Sequence, residues 1–326
     1  MRVGVIGTGF GSRVVATTFR QIGCDVVDVV SARDHSGAEG LCRSRLDLVS
    51  VHSPPFLHAT HVRMALDQGH AVLCDKPFGI SGHESASLAA DAQAAGVVNL
   101  VNFEFRQQPA RQKMKELVAG GAIGEPEHLL YSAHVAGSRV PLRPYGWLFD
   151  RSLGGGWIGA FGSHAIDMMR WLLGDVTAAG AKTWVTVPER PDGAGALRSC
   201  DAEDSFCGWF EFESGATATL DTSFTSSVSL PPRITLTGSE GTIENTADAR
   251  VVLRGADGSR EEFTFEPSPG DMHQTAMERW AAIVRTAVME RAQVSPSFAD
   301  GVACAIVMDQ LRVEPPLVVG AARRTE

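Results

Sequence analysis

A glycine-punctuated loop at the start of the chain constrains the fold more than any other feature. Arg2-Val3-Gly4-Val5-Ile6 is a short β-branched run that fits a buried strand. It leads directly into Gly7-Thr8-Gly9-Phe10-Gly11-Ser12, and residues 13–21 then carry apolar side chains at helical spacing. Strand, tight turn and helix N-terminus in that order make an anion site, because free N–H groups and the helix dipole point at one spot. Gly7 permits the turn, Gly9 lets a pyrophosphate approach the backbone, and Ser12 is the small residue for close helix–strand packing. The alternative is an ordinary tight βα turn. Context favours a dinucleotide.

The end of the second strand, Val26-Val27-Asp28-Val29-Val30, selects the ribose. An acidic residue there would bond the 2′-hydroxyl and repel a 2′-phosphate. The strand runs instead into Ser31-Ala32-Arg33. Ser donates to a phosphate and Arg pairs with one bidentately, so NADP is expected in preference to NAD. In the alternative, Arg33 is merely solvated and Asp34 takes the acidic role.

Strand signals at 46–51, 71–74 and 97–101 alternate with helical stretches near 58–68 and 81–95. That alternation predicts βαβ units and a parallel sheet in a dinucleotide-binding domain of the Rossmann type, residues 1–120. A second domain, residues 121–326, is expected to be α+β. It has a helix over 154–173, then β-rich stretches at 178–187, 204–213, 216–225, 233–238, 250–254 and 261–265, and two late helices near 271–291 and 297–312. Gly-containing turns between the stretches suit an open, mainly antiparallel β-sheet.

Composition removes several functions. The 326 residues hold 29 basic and 38 acidic side chains, a net charge of −9, so no basic field attracts nucleic acid or an anionic membrane. No apolar run is long enough to span a bilayer, and the N-terminus does not read as a signal peptide. Six scattered cysteines without a C-x-x-C pair fit reduced thiols, and a cytoplasmic location is expected. There are four lysines, Lys76, Lys113, Lys115 and Lys182, which draws attention to each.

Three further motifs complete a pattern. Ser53-Pro54-Pro55-Phe56-Leu57-His58, Asp75-Lys76-Pro77 and Gly154-Gly155-Gly156-Trp157-Ile158-Gly159-Ala160-Phe161-Gly162-Ser163-His164-Ala165-Ile166-Asp167 follow the glycine loop in order, with Ser297-Phe298-Ala299-Asp300-Gly301 near the end. Together they resemble the glucose–fructose oxidoreductase / inositol dehydrogenase (Gfo/Idh/MocA) family across nearly the whole chain. The resemblance implies an NAD(P)-dependent oxidoreductase acting at a carbinol carbon of a sugar, inositol or related polyol. It also implies a homodimer or homotetramer built on the open sheet. Ser53, Pro54, Pro55 and His58 would lie beside the nicotinamide, and Asp75, Lys76 and Pro77 would line the same crevice.

Lys76 would end a parallel strand, where its ammonium could stabilise negative charge developing on the reacting oxygen. The bland reading is a surface lysine before a turn proline. His164 would be the base for the hydroxyl proton, or the acid in reduction. Its bland reading is a core histidine bonded to backbone.

Two departures stand out. The family's usual Asp four residues before the histidine is Ala160 here, leaving Asp167 as a possible orienting partner for His164. A cofactor-binding but catalytically silent sensor or regulatory protein is therefore the alternative function. The stretch between Ser31 and Asp47 is also short, with room for at most one short helix, so the adenine edge of the sheet is expected to be trimmed. Trp157 could stack on an apolar sugar face. Arg106 either contacts substrate or pairs with Glu104. No metal site is expected: His58 and His61 form a helical pair, but no third ligand is evident. His273 starts a late helix with no assigned partner.

Overall fold

The computed structural model describes residues 1–268 and 270–313. Its first half alternates strands and helices. In chain order these are β1 (Arg2–Ile6), α1 (Thr17–Gln21), β2 (Asp25–Val30), α2 (His35–Cys42), β3 (Leu48–Val51), α3 (His58–Leu66), β4 (Ala71–Cys74), α4 (Gly82–Ala95), β5 (Asn99–Val101) and α5 (Pro109–Ala119). The strands form a parallel sheet in the order β2-β1-β3-β4-β5. β3 and β4 are buried along their whole length, as expected for strands covered on both faces.

Between β2 and β3 the chain fits α2 alone, so the sheet ends at β2, as the short sequence there predicts. α4 begins on Ser81, whose hydroxyl accepts from the Glu84 N–H, and ends on left-handed Gly96.

The second half opens on β6 (Pro126–His134), a strand missing from the expected set. After α6 (Ser163–Leu173) come β7 (Val176–Trp184), the short pair β8 (Glu189–Pro191) and β9 (Leu197–Ser199), β10 (Ser205–Phe212), β11 (Thr217–Ser223), β12 (Arg233–Gly238), β13 (Gly241–Thr246), β14 (Arg250–Gly255) and β15 (Arg260–Thr264). Eight of these form an open sheet in the order β15-β14-β13-β12-β6-β11-β10-β7. All its pairings are antiparallel except β6 with β11. β6 therefore sits near the centre of the sheet. The expected helix over 154–173 begins later, as a π-helical turn at Ile158–Gly162 that continues into α6.

The single boundary near residue 120 needs one correction. The last two helices, α7 (Gln274–Glu290) and α8 (Phe298–Leu311), return to the first sheet. Met277, Trp280, Ala281 and Val284 of α7 share one core with Val3, Val5, Phe19, Leu48 and Leu73. The Gly82 N–H at the start of α4 donates to the Asp309 carboxylate of α8 at 2.7 Å.

A buried ion cluster ties these parts together. Arg106, in the turn Glu104–Gln107, donates through Nε and Nη2 to both oxygens of Asp167 on α6, at 2.8 and 2.6 Å. It also reaches Asp300 at the start of α8 at 2.9 Å and Ser295 at 2.8 Å. The guanidinium is 6% exposed and Asp167 2%, so neither charge has water to replace its partner. Arg106→Leu is expected to cost about 3–5 kcal/mol by leaving two carboxylates short of a counter-charge. Thermal or urea unfolding of the variant against the parent checks this.

Candidate active site

The glycine loop needs its glycines for two different reasons. Gly7 has φ +135°, and a Cβ there would lie 2.4 Å from the His52 carbonyl oxygen. Any side chain would force β1 and β3 apart. Gly9 is exposed, with no atom within 4 Å of where a Cβ would stand. The loop thus presents open backbone at the position where the pyrophosphate is expected. The first turn follows at Gly11–Ala16, with the Arg13 N–H reaching the Gly9 carbonyl at 3.0 Å. The N–H groups before Arg13 lie at the helix start, where an anion can take them.

Close packing falls on a different residue from the one expected. A Cβ on Gly11 would meet His52 Cβ at 2.9 Å and Val5 Cγ1 at 3.2 Å, while Ser12 is half-buried. Gly11 is therefore the residue that lets the helix sit on β1. Phe10 lies over the loop, tilted against His52 and edge-on to His273, with centroids 5.8 and 5.0 Å apart.

At the ribose end the Ser31 hydroxyl accepts from the Arg33 N–H at 3.2 Å, and Arg33 is exposed. Asp34 is engaged elsewhere. Its carboxylate caps α2, accepting from the Gly37 N–H and the Ser36 hydroxyl at 2.9 Å each. Those bonds hold its pKa below the usual carboxylate value.

The Ser53-Pro54-Pro55 loop and the Lys76–Pro77 turn, whose peptide is cis, are joined by one ring. His58 Nε2 lies 2.7 Å from the Ser53 carbonyl oxygen and Nδ1 3.0 Å from that of Pro77. The Ser53 hydroxyl pairs with His61 Nδ1 at 3.0 Å. His58 is fully buried between these two carbonyls, one of which a neutral ring can bond at a time, so it braces the crevice instead of facing it. Neither histidine is free for a metal. Among the described residues no cluster of three or more His, Cys, Asp or Glu side chains could hold one.

Asp75 ends β4 beside His52, with Oδ2 3.3 Å from His52 Nδ1. Burial alone would raise its pKa, but His52 and the Lys76 ammonium outweigh that and hold it well below the carboxylate range. Lys76 then reaches across to the second domain. Its Nζ donates to the Ala160 carbonyl at 2.7 Å. The two turns touch there without crowding: a Cβ on Gly159 would stand 3.4 Å from Pro77 Cγ, an ordinary contact distance. An ammonium has three N–H donors, so two remain for a ligand.

His164 lies one turn further along the same segment, 4% exposed. Neither ring nitrogen has a hydrogen-bond partner among the described residues. Burial first, then the nearby charges of Lys76 and Arg111, push its pKa well below the usual imidazole value. Burial therefore favours the neutral ring. Phe103 and Phe105 flank it, at centroid distances of 6.0 and 4.4 Å.

Three expectations are corrected. Arg106 does not pair with Glu104; it is spent on Asp167, Asp300 and Ser295. Asp167 has both oxygens on Arg106, and so does not orient His164. Trp157 is stacked on Phe224 and Phe161, at 4.3 and 5.1 Å, and its Nε1 donates to Thr222. Its ring face is occupied and acts as packing. Two residues that no motif announces stand beside His164 instead. Glu104 Oε1 lies 4.0 Å from His164 Nε2, and the same oxygen lies 2.6 Å from His273 Nδ1.

The comparisons fit this geometry. Residues 111–244 match the GFO/IDH/MocA C-terminal domain, and residues 38–103 match the oxidoreductase family's NAD-binding Rossmann fold. A D-apiose dehydrogenase of Paraburkholderia graminis is 30% identical over 286 residues, covering 81% of this chain and 72% of that protein. An uncharacterized oxidoreductase of Synechocystis is 31% identical over 225 residues, or 63% of this chain; the match spans 60% of its length. Among solved structures, levoglucosan dehydrogenase in complex with NADH and levoglucosan superposes with a TM-score of 0.85 at 22% identity, covering 95% of both chains.

Buried neutral histidines give the site a pH signature. His58, His61 and His164 all have pKa values lowered by burial, His61 to about 4. The unfolded chain then binds more protons than the fold below about pH 6.5, so stability is complete above that value and falls on acidification. His61 alone contributes about 2 kcal/mol of the loss between about pH 6.5 and 5. Urea unfolding at the two pH values checks the sign; an increase in stability toward pH 5 contradicts it.

Proposed function

The chain belongs to the Gfo/Idh/MocA family of oxidoreductases, and from that footing we propose how its residues carry out the reaction. It is an NAD(P)-dependent oxidoreductase. The substrate class is a sugar, inositol or related polyol, and the reacting atom a carbinol carbon. The nicotinamide accepts or returns the hydride. Every other step belongs to the protein.

One observation carries the reading. Lys76 Nζ bonds the Ala160 carbonyl, one turn before His164, and its charge is felt at the His164 ring. In oxidation the neutral His164 ring takes the hydroxyl proton as hydride leaves carbon. The two free N–H groups of Lys76 hold the oxygen and stabilise its developing charge. In reduction the same groups supply the proton and polarise the carbonyl. The silent alternative rested on Ala160. Position 160 contributes its carbonyl, which fixes Lys76, so the pair forms without a carboxylate there.

The cradle residues are Gly7, Gly9, Phe10, Gly11 and Ser12. Ser53, Pro54, Pro55, Asp75 and Pro77 shape the nicotinamide end. His58 acts behind them as a brace. At the ribose, Ser31 and Arg33 favour NADP, and the cap on Asp34 removes the acidic competitor.

Two experiments test this. A panel of polyols with NADP+ and NAD+ should give nicotinamide reduction that falls by about 10²–10³ in Lys76→Ala and about 10²–10⁴ in His164→Ala, with both variants folded. Activity that survives both substitutions overturns the assignment. Arg33→Ala should weaken NADPH binding by about tenfold or more, the worth of a charge-assisted pair, and leave NADH within about twofold. Equal loss for both cofactors contradicts the NADP preference.

A further inference from the structure

Gly154-Gly155-Gly156 leads into the π-helical turn Ile158–Gly162, which carries Ala160. A helix start leaves its first N–H groups without partners inside the helix. The four that lead into this turn are taken by residues outside it. The Gly155 and Gly156 N–H groups donate to the carbonyls of Asp150 and Leu148, at 3.0 and 2.8 Å. The next two go to a single residue, Glu203, just before β10. The Trp157 N–H donates to the Glu203 carbonyl at 2.7 Å, and the Ile158 N–H to Glu203 Oε1 at 3.2 Å.

A second partner closes the arrangement. Arg312, just past α8, donates through Nη2 to the same Oε1 at 3.3 Å and to the Gly155 carbonyl at 3.1 Å. The Glu203 side chain is 1% exposed, so these bonds have no water to replace them. An acid set between helix N–H groups and a guanidinium is favoured from both sides. Gly156, at φ +106°, makes the room: a Cβ there would fall on the Glu203 carboxyl group. From this start the Ala160 N–H reaches the Gly156 carbonyl at 3.0 Å, and the Ala160 carbonyl receives Lys76.

We propose that Glu203 is a positioning residue for Lys76. By holding the Ile158 N–H it sets where the Ala160 carbonyl stands, two residues on, and so where the ammonium is held. Glu203 bonds the turn, and the turn bonds Lys76. Arg312 carries the hold further. It belongs to the end of α8, and α8 is bonded to the first domain through Asp309 and the Gly82 N–H. The turn is thereby fixed relative to the domain that supplies Lys76. The role in catalysis rests on the reaction proposed above; the placement of Lys76 does not. Oε2 of Glu203 has no partner among the described residues. The reach of Oε1 is therefore what the role requires, and an amide can supply it with its nitrogen in the place of Oε2.

The chain's four lysines make the test direct. Carbon-13 NMR of lysine labelled at Cε gives one signal each for Lys76, Lys113, Lys115 and Lys182, and the Lys76 signal is the one missing from Lys76→Arg. Glu203→Ala removes the acceptor, and should move the Lys76 signal toward that of a free lysine and leave the other three in place. Glu203→Gln keeps the acceptor, and should leave all four in place. If Glu203→Ala does not fold, Glu203→Asp takes its part, with the acceptor drawn back by one methylene and its charge intact. A Lys76 signal unmoved when the acceptor is lost, moved as far in Glu203→Gln, or moved only together with the other three overturns the proposal. With a polyol that turns over, kcat should fall by about tenfold to a hundredfold on loss of the acceptor, and less in Glu203→Gln, with NADPH binding unchanged. Equal loss in both variants overturns it. If the parent reduces no nicotinamide with any polyol, the reaction above fails, and the lysine signals still decide the placement.

Discussion

The hydrogen bond from Lys76 Nζ to the Ala160 carbonyl is the contact on which the site depends. It ties the end of a parallel strand to the turn that delivers His164. The turn has π-helical geometry, which is common at functional sites because widening the helix redirects carbonyls. At position 160 the backbone oxygen, not a carboxylate, is the partner of Lys76.

A second set of charges keeps that contact in register. Arg106 joins the linker to α6 and α8 at once, through Asp167 and Asp300. It lies two residues from Glu104, and Asp167 lies three residues from His164. The pair is therefore a frame around the site instead of a part of it. Its burial makes it costly to break and of little use as a general substrate contact. His58 does similar work on the other side, packed between the carbonyls of Ser53 and Pro77.

What the sequence revealed is what is encoded locally. The glycine loop, Lys76 before its proline and His164 in a glycine-rich helix start each carry their meaning within a dozen residues. The structure links these segments through His52, Asp75 and the Ala160 carbonyl. The role of Gly11 escaped because the fingerprint spacing points to Ser12, whereas the π-helical first turn brings Gly11 against β1 and β3. β6 escaped because its buried Leu129, Tyr131 and Ala133 alternate with polar residues and the exposed Leu130, a weak apolar signal for a central strand. β13 begins at Gly241, and with Gly238 at the end of β12 the two glycines mark the hairpin turn and mask the strand. Glu104 and His273 could not be paired from sequence at all. They are 169 positions apart and meet only because α7 folds back onto the first domain.

The account stands on hydride passing between a carbinol carbon and a nicotinamide held beside Lys76 and His164. The most direct measurement is a single turnover with a polyol deuterated at the carbinol carbon, followed by NMR of the recovered cofactor. The account predicts deuterium at C4 of the nicotinamide, on one face only, and none when His164 is replaced by Asn. Reduced cofactor without label, or label on both faces, would contradict it.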